Sequence, residues 1–183
     1  MPYYAAWDWF KHNYPAIAKH LIKYQEKAEA RIDKGDFWWE LRSCDYYQEF
    51  VKPKIMYQKF QVKPCFIYDE TGLFCNDSMW IIPSVNKALF GVLNSKMGWW
   101  LISKYCTAIQ NGFQLIWKYF GQIPIPDITG EIAYAIIKIV NQILSYKKSD
   151  PATDTSPLEA EIDRLVYELY GLSEEEIKIV EGG

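Results

Sequence analysis

Apolar residues recur at helical spacing in several stretches of this chain. Ile17, Leu21, Tyr24, Ala28 and Ile32 follow at steps of three and four, which predicts a helix over 15–34 with one apolar face. Pro15 suits its first turn, and Gly35-Asp36 breaks it. Lys19, Lys23, Lys27 and Arg31 form a basic stripe at four-residue steps, read either as a solvated face or as a phosphate-contacting one. A more continuously apolar helix is predicted over 85–105, with Ser84 as N-cap and Gly98 as its point of interruption. Ile132, Ile136, Ile139, Val140, Ile143 and Leu144 predict an amphipathic helix over 129–146. Leu158, Ile162, Leu165, Val166 and Leu169 make a further stripe, ended by Gly171. Ser173 before three glutamates reads as an N-cap with acids in the first turn, which suits the helix dipole.

Between these helices the pattern shortens to strands. Lys54–Tyr57, Cys65–Tyr68, Leu73–Cys75, Met79–Ile82 and Phe113–Tyr119 are strand-like. Asp69-Glu70-Thr71-Gly72 is a turn signal that predicts a hairpin between Cys65–Tyr68 and Leu73–Cys75. The prolines of GQIPIP keep residues 121–126 extended. Ser149–Pro157 reads as a linker. The class is α+β: a small, mostly antiparallel sheet with a hairpin, flanked by several amphipathic helices. Residues 1–150 are expected to form the main domain and 151–183 a C-terminal helical appendage packing on it.

Composition adds size and polarity. Of 183 residues half are apolar and 17% aromatic, enough for a sizeable core. The net charge of −3 hides an asymmetry. Residues 151–183 hold nine acids and two bases, net −7, so residues 1–150 carry +4. A mildly basic body with an acidic tail is compatible with a DNA-facing surface. The four cysteines contain no C-x-x-C pair, and no basic n-region precedes an apolar run at the N-terminus. No stretch reaches the ~18 uninterrupted apolar residues of a membrane span. The expected setting is cytoplasmic, with no membrane partner.

Sequence signatures of catalysis are missing. There is no glycine-rich cofactor loop, no N-P-P-aromatic segment, no P-loop and no G-x-S-x-G. Asp45, Glu49 and Lys52 read as a solvated loop or helix end rather than a nuclease metal site, and His12 and His20 lack ligand spacing.

Several strings, in this order, then carry a resemblance: YPAIAKHL with KAEARIDKGDFWWELR, KPKIMYQKF, FIYDETGLFCNDSMWIIP, ALFGVLNSK, the proline pair of GQIPIP, and LEAEIDRLVYELYGLSEEEI. Together they resemble the TaqI-like C-terminal specificity domain. That is the target-recognition part of type II, especially fused type IIG, restriction–modification adenine-specific DNA methyltransferases. The resemblance implies sequence-specific recognition of double-stranded DNA by a part that is not itself an enzyme. It implies a methyltransferase domain upstream in the same protein as partner. No cofactor belongs to this chain; S-adenosylmethionine would sit in that catalytic domain.

Members of such a family read different sequences, so contact residues follow from chemistry. Arg42 can clamp a guanine edge or a phosphate, or pair with Glu40 or Asp45. Lys54, Tyr57, Gln58, Lys59, Gln61 and Lys63 form the most polar strand–loop, in which Lys54 and Gln58 would share an outward face while Ile55 enters the core. Gln58 suits an adenine edge or is a plain surface residue. Asn76 after the expected hairpin, and Gln110 and Asn111 before Phe113, are base readers or turn residues. Lys96 and Lys104 are phosphate candidates. The alternative reading is a helical protein–protein docking module without DNA binding, and the terminal helices could self-associate in isolation.

Overall fold

The computed structural model describes residues 2–182. Its contacts divide it into two units, one ending at Tyr47 and the other beginning at Gln48.

The first unit holds α1 (Tyr3–Asn13), α2 (Pro15–Leu21), a 3-10 turn (Ile22–Tyr24) and α3 (Gln25–Glu29). The helix expected to reach residue 34 therefore ends at Glu29. The chain turns back because Arg31 Nη2 donates to the carbonyls of Trp38 (3.3 Å) and Glu40 (2.6 Å), and Lys34 bridges Leu41. Arg31 thus leaves the basic stripe, while Lys19, Lys23 and Lys27 stay exposed. Helix α1 is not among the predicted elements. It packs Trp7 against the rings of Trp38 and Trp39, with centroids 4.9 and 4.8 Å apart.

The boundary falls after the first residue of α4 (Tyr47–Phe50), and the second unit then runs β1 (Lys54–Gln58), β2 (Phe60–Gln61), β3 (Phe66–Asp69), β4 (Met79–Ile82), α5 (Lys87–Asn94), α6 (Lys96–Tyr105), β5 (Thr107–Ile109), β6 (Gly112–Gln114), α7 (Trp117–Phe120), α8 (Gly130–Ser149), α9 (Ser156–Tyr170) and α10 (Glu174–Val180). The α+β class holds. One antiparallel sheet has the order β3-β1-β4 and the other β2-β6-β5. They share a run of chain. Lys59 N–H donates to Ser78 O (3.1 Å), prolonging the β1–β4 ladder, while Leu115 N–H donates to Lys59 O (2.8 Å), prolonging β2–β6.

Two sequence expectations change here. Leu73–Cys75 forms no strand, so the turn at 69–72 closes no hairpin; the hairpin is β5–β6, with Gln110-Asn111 at its tip. The reason is Asp69, whose carboxylate turns inward. It accepts from Thr71 N–H (2.9 Å), Thr71 Oγ1 (2.7 Å), Leu73 N–H (2.8 Å) and Lys54 Nζ, which ties the turn to β1 instead of to a returning strand. The strand expected over Phe113–Tyr119 ends at Gln114, and α7 follows.

The core lies between the β3-β1-β4 sheet and the helices. Ile55, Val92, Ile102, Leu115, Ile136, Val140 and Val166 are fully buried, each such side chain contributing about 1.5–3 kcal/mol. The helix expected over 85–105 is two helices. Asn86, not Ser84, caps α5, accepting from the N–H groups of Ala88 and Leu89. Ser95 then ends α5 and caps α6, accepting from Gly98 N–H (3.1 Å). A Cβ on Gly98 would lie 2.2 Å from Val92 O, so the tight corner needs glycine. Helix α9 packs on α8, α5 and α6. It ends at Gly171 in the left-handed region (φ 65°). Ser173 and Glu176 form a reciprocal capping box on α10. Among the described residues no helix is long and apolar enough to cross a membrane.

Candidate nucleic-acid interface

Strand β1 lies at the centre of its sheet, so Lys54, Ile55, Met56 and Tyr57 are all buried and the expected alternation fails. Lys54 Nζ donates to Asp69 and to Phe50 O (2.6 Å), fully enclosed. The Tyr57 ring packs 5.0 Å from Phe120 and 5.6 Å from Phe66. Burial, with Cys106 nearby, pushes its phenol well above the ordinary range. Gln61 is buried too: its Nε2 donates to Gln58 O (3.4 Å) and its Oε1 accepts from Cys65 N–H (3.2 Å). Lys54, expected to face outward, and Tyr57 and Gln61, named with it as DNA-contact candidates, are thereby corrected. They hold the platform together rather than lie on it.

What remains at the surface is the run just past β1. Gln58 and Lys63 are exposed, Lys59 is half-buried, and Phe60 and Val62 stand out at 53% and 65% exposure. Gln61, pinned from below, shapes this loop. The β5–β6 hairpin comes against it. A Cβ on Gly112 would lie 2.0 Å from Gln61 O and 2.8 Å from Val62 Cα, so only glycine lets the two backbones touch. That contact sets Val62 against the hairpin whose tip residues, Gln110 and Asn111, directly precede the glycine and are both exposed. Asn76 flanks the other side. Its Oδ1 accepts from Ser78 N–H (3.1 Å) and Ser78 Oγ (2.5 Å), making an Asx turn whose Ser78 carbonyl bonds Lys59.

The structure therefore gathers Gln58, Lys59, Lys63, Asn76, Gln110 and Asn111. It does not gather the others. Lys96 starts α6 and pairs with Glu181 (2.8 Å), which Tyr167 also reaches (3.3 Å), while Asp163 accepts the Lys96 N–H (2.8 Å). Its charge is already met. Arg42 is exposed and belongs to the first unit. Phe60, Gln114 and Thr107, which stand in one row across the small sheet, escaped the sequence reading. Alternation about buried Gln61 is the signal that finds them.

Charge follows the same division. Residues 50–126 hold eight lysines against three acids, and residues 127–182 hold twelve acids against five bases. Two of the three acids are engaged, Asp69 with Lys54 and Glu70 with Lys87 (3.1 Å). Among the described residues Lys59, Lys63, Lys104 and Lys118 make no ion pair. Three of them lie over rings instead: Lys59 over Phe60 (5.6 Å), Lys104 over Trp100 (5.1 Å) and Lys118 over Tyr119 (5.4 Å).

Residues 8–125, more than half of the chain, match the TaqI-like C-terminal specificity domain. The chain belongs to that family. No curated protein matches it. A TaqI-like specificity domain serves DNA target recognition in a methyltransferase context. The matched span of the domain includes every residue of the gathered surface and stops before α8.

Proposed function

We propose that this domain reads double-stranded DNA for a type II restriction–modification methyltransferase of the fused IIG kind, acting on adenine in the cytoplasm. The methyl transfer belongs to a catalytic domain of the same protein. The observation that carries the reading is the contact at Gly112, which joins the hairpin carrying Gln110 and Asn111 to the Gln61–Val62 backbone in the acid-poor part of the chain. Amide side chains present a donor and an acceptor together, the pair that adenine offers in the major groove, and Gln58 adds a third. Lys59 and Lys63 suit the flanking phosphates, which fix register without reading sequence.

S-adenosylmethionine is assigned to that catalytic domain on the family resemblance and on the sequence here, which has no glycine-rich cofactor loop.

The test is an electrophoretic titration of the whole chain against random duplex at low salt. Weak binding is expected, with log K falling by about 0.9 per phosphate neutralised as log salt rises. Replacing Lys59 and Lys63 together by Gln is expected to lessen that slope by about 2. In the intact methyltransferase, Gln110→Ala or Asn111→Ala is expected to cost about 1–3 kcal/mol of discrimination at one base position. Absence of duplex binding at low salt, or unchanged specificity with Gln58, Gln110 and Asn111 all replaced, overturns the reading.

A further inference from the structure

The small sheet carries something that hydrogen-bonding recognition does not use. Phe60, Gln114 and Thr107 lie in one cross-strand row of β2, β6 and β5, on the face opposite to buried Gln61 and to Phe113, which packs on Trp99. Phe60 is more than half exposed, with exposed Val62 after it and Ile109 (38% exposed) on the edge strand. Nearly half of the ring is covered, and the rest is open to a partner with an apolar face. Two lysines without ion pairs flank it in the chain: Lys59, whose ammonium lies over one side of the ring (5.6 Å from its centroid), and Lys63. The loop is held from beneath by Gln61, so the ring is presented on a fixed backbone. Exposed aromatic faces between cations are how proteins hold bases that have lost a stacking neighbour, because every base has a π face and every nucleotide a phosphate.

We propose that Phe60 stacks on an unpaired nucleobase while Lys59 and Lys63 hold the phosphates on either side of it, so that this face binds locally opened DNA in preference to perfect duplex. The inference rests on the DNA-binding reading above and adds a ligand class to it. Phe60 acts through its π face, whereas Gln110 and Asn111 act through hydrogen bonds.

Three labelled probes of one sequence separate the possibilities: a perfect duplex, the same duplex with one extra unpaired thymine, and the single strand. Fluorescence anisotropy with the whole chain is expected to show the bulged duplex bound about tenfold more tightly than the perfect one. Phe60→Leu keeps apolar bulk at the sheet edge and is expected to abolish that preference; Phe60→Tyr, which keeps the ring, is expected to retain it. Equal binding of bulged and perfect duplex by the wild-type chain, or a preference that survives Phe60→Leu, overturns the stacking role and leaves duplex recognition standing. A chain that binds none of the three probes overturns both.

Discussion

Lys54 shows why a polar residue in a strand is an unreliable guide to a surface. Its ammonium is fully enclosed by Asp69 and the Phe50 carbonyl. Burial alone would raise the Asp69 carboxyl; the hydrogen bonds from Lys54, from Thr71 and from Leu73 N–H outweigh it and hold the group far below the usual carboxylate range. Lys54→Met leaves that carboxylate buried without its cation, at an expected cost of about 3–5 kcal/mol in urea denaturation. Adding Asp69→Asn, which keeps an acceptor for Thr71 and Leu73, is expected to recover most of the loss. The sign of the pH effect follows. A carboxyl with a lowered folded pKa contributes stability that is present above its ordinary value near 4 and is lost as pH falls towards the folded one. Wild-type stability is expected to decline below about pH 4 more steeply than that of Asp69→Asn. None of this was legible from the sequence, because the partner is supplied by a strand that pairs with β1 only in the fold. Asn94 likewise bonds backbone supplied by a distant strand. The side chain accepts from Phe66 N–H (3.1 Å) and donates to Phe66 O (3.3 Å).

At the scale of elements, what periodicity could encode it did encode. The stripes of α8 and α9 and the cap of α10 lie where three- and four-residue spacing put them, since a long helix writes its buried face into local sequence. Short strands do not. The 69–72 turn and the β5–β6 hairpin exchanged roles because pairing depends on which strand takes the central place. The break at Ser95 depends on a corner whose tightness appears only at Gly98. Helices α5 and α8 cross at Gly91, where a Cβ would lie 2.7 Å from Ile136 Cγ2. Gly91→Val is therefore expected to lower stability by about 1–3 kcal/mol in thermal or chemical denaturation. The joint of α6 with α9 is polar. Burial pushes the Asp163 carboxyl above its usual range, against the pull of the Lys96 N–H and ammonium. Asp163→Asn keeps the acceptor for that N–H and is expected to be better tolerated near pH 7 than Asp163→Ala, which removes it at about 1–3 kcal/mol.

Across the whole molecule, charge and family were the most legible features, and the placing of side chains was the least. The acidic end of the chain was plain from composition, and the ordered strings identified a specificity domain that residues 8–125 bear out. The gathered surface is not written in local sequence, because it is assembled from segments some fifty residues apart that meet through one glycine. The separation of charge has a measurable result: removing Lys138 and Lys147 on α8 by Gln substitution is expected to leave the salt slope of duplex binding nearly unaltered, in contrast to Lys59 and Lys63.

The run from Gln58 to Phe66 is fastened at both ends, by Lys59 between the two ladders and by Asn94 gripping Phe66. Residues 62–64 hang between these fixtures, and the tip at 110–111 needs only the glycine that follows it. Both segments could be exchanged for others of equal length without disturbing a buried side chain. New sequence preferences could then be grafted as small cassettes, while the frame that carries them is inherited whole.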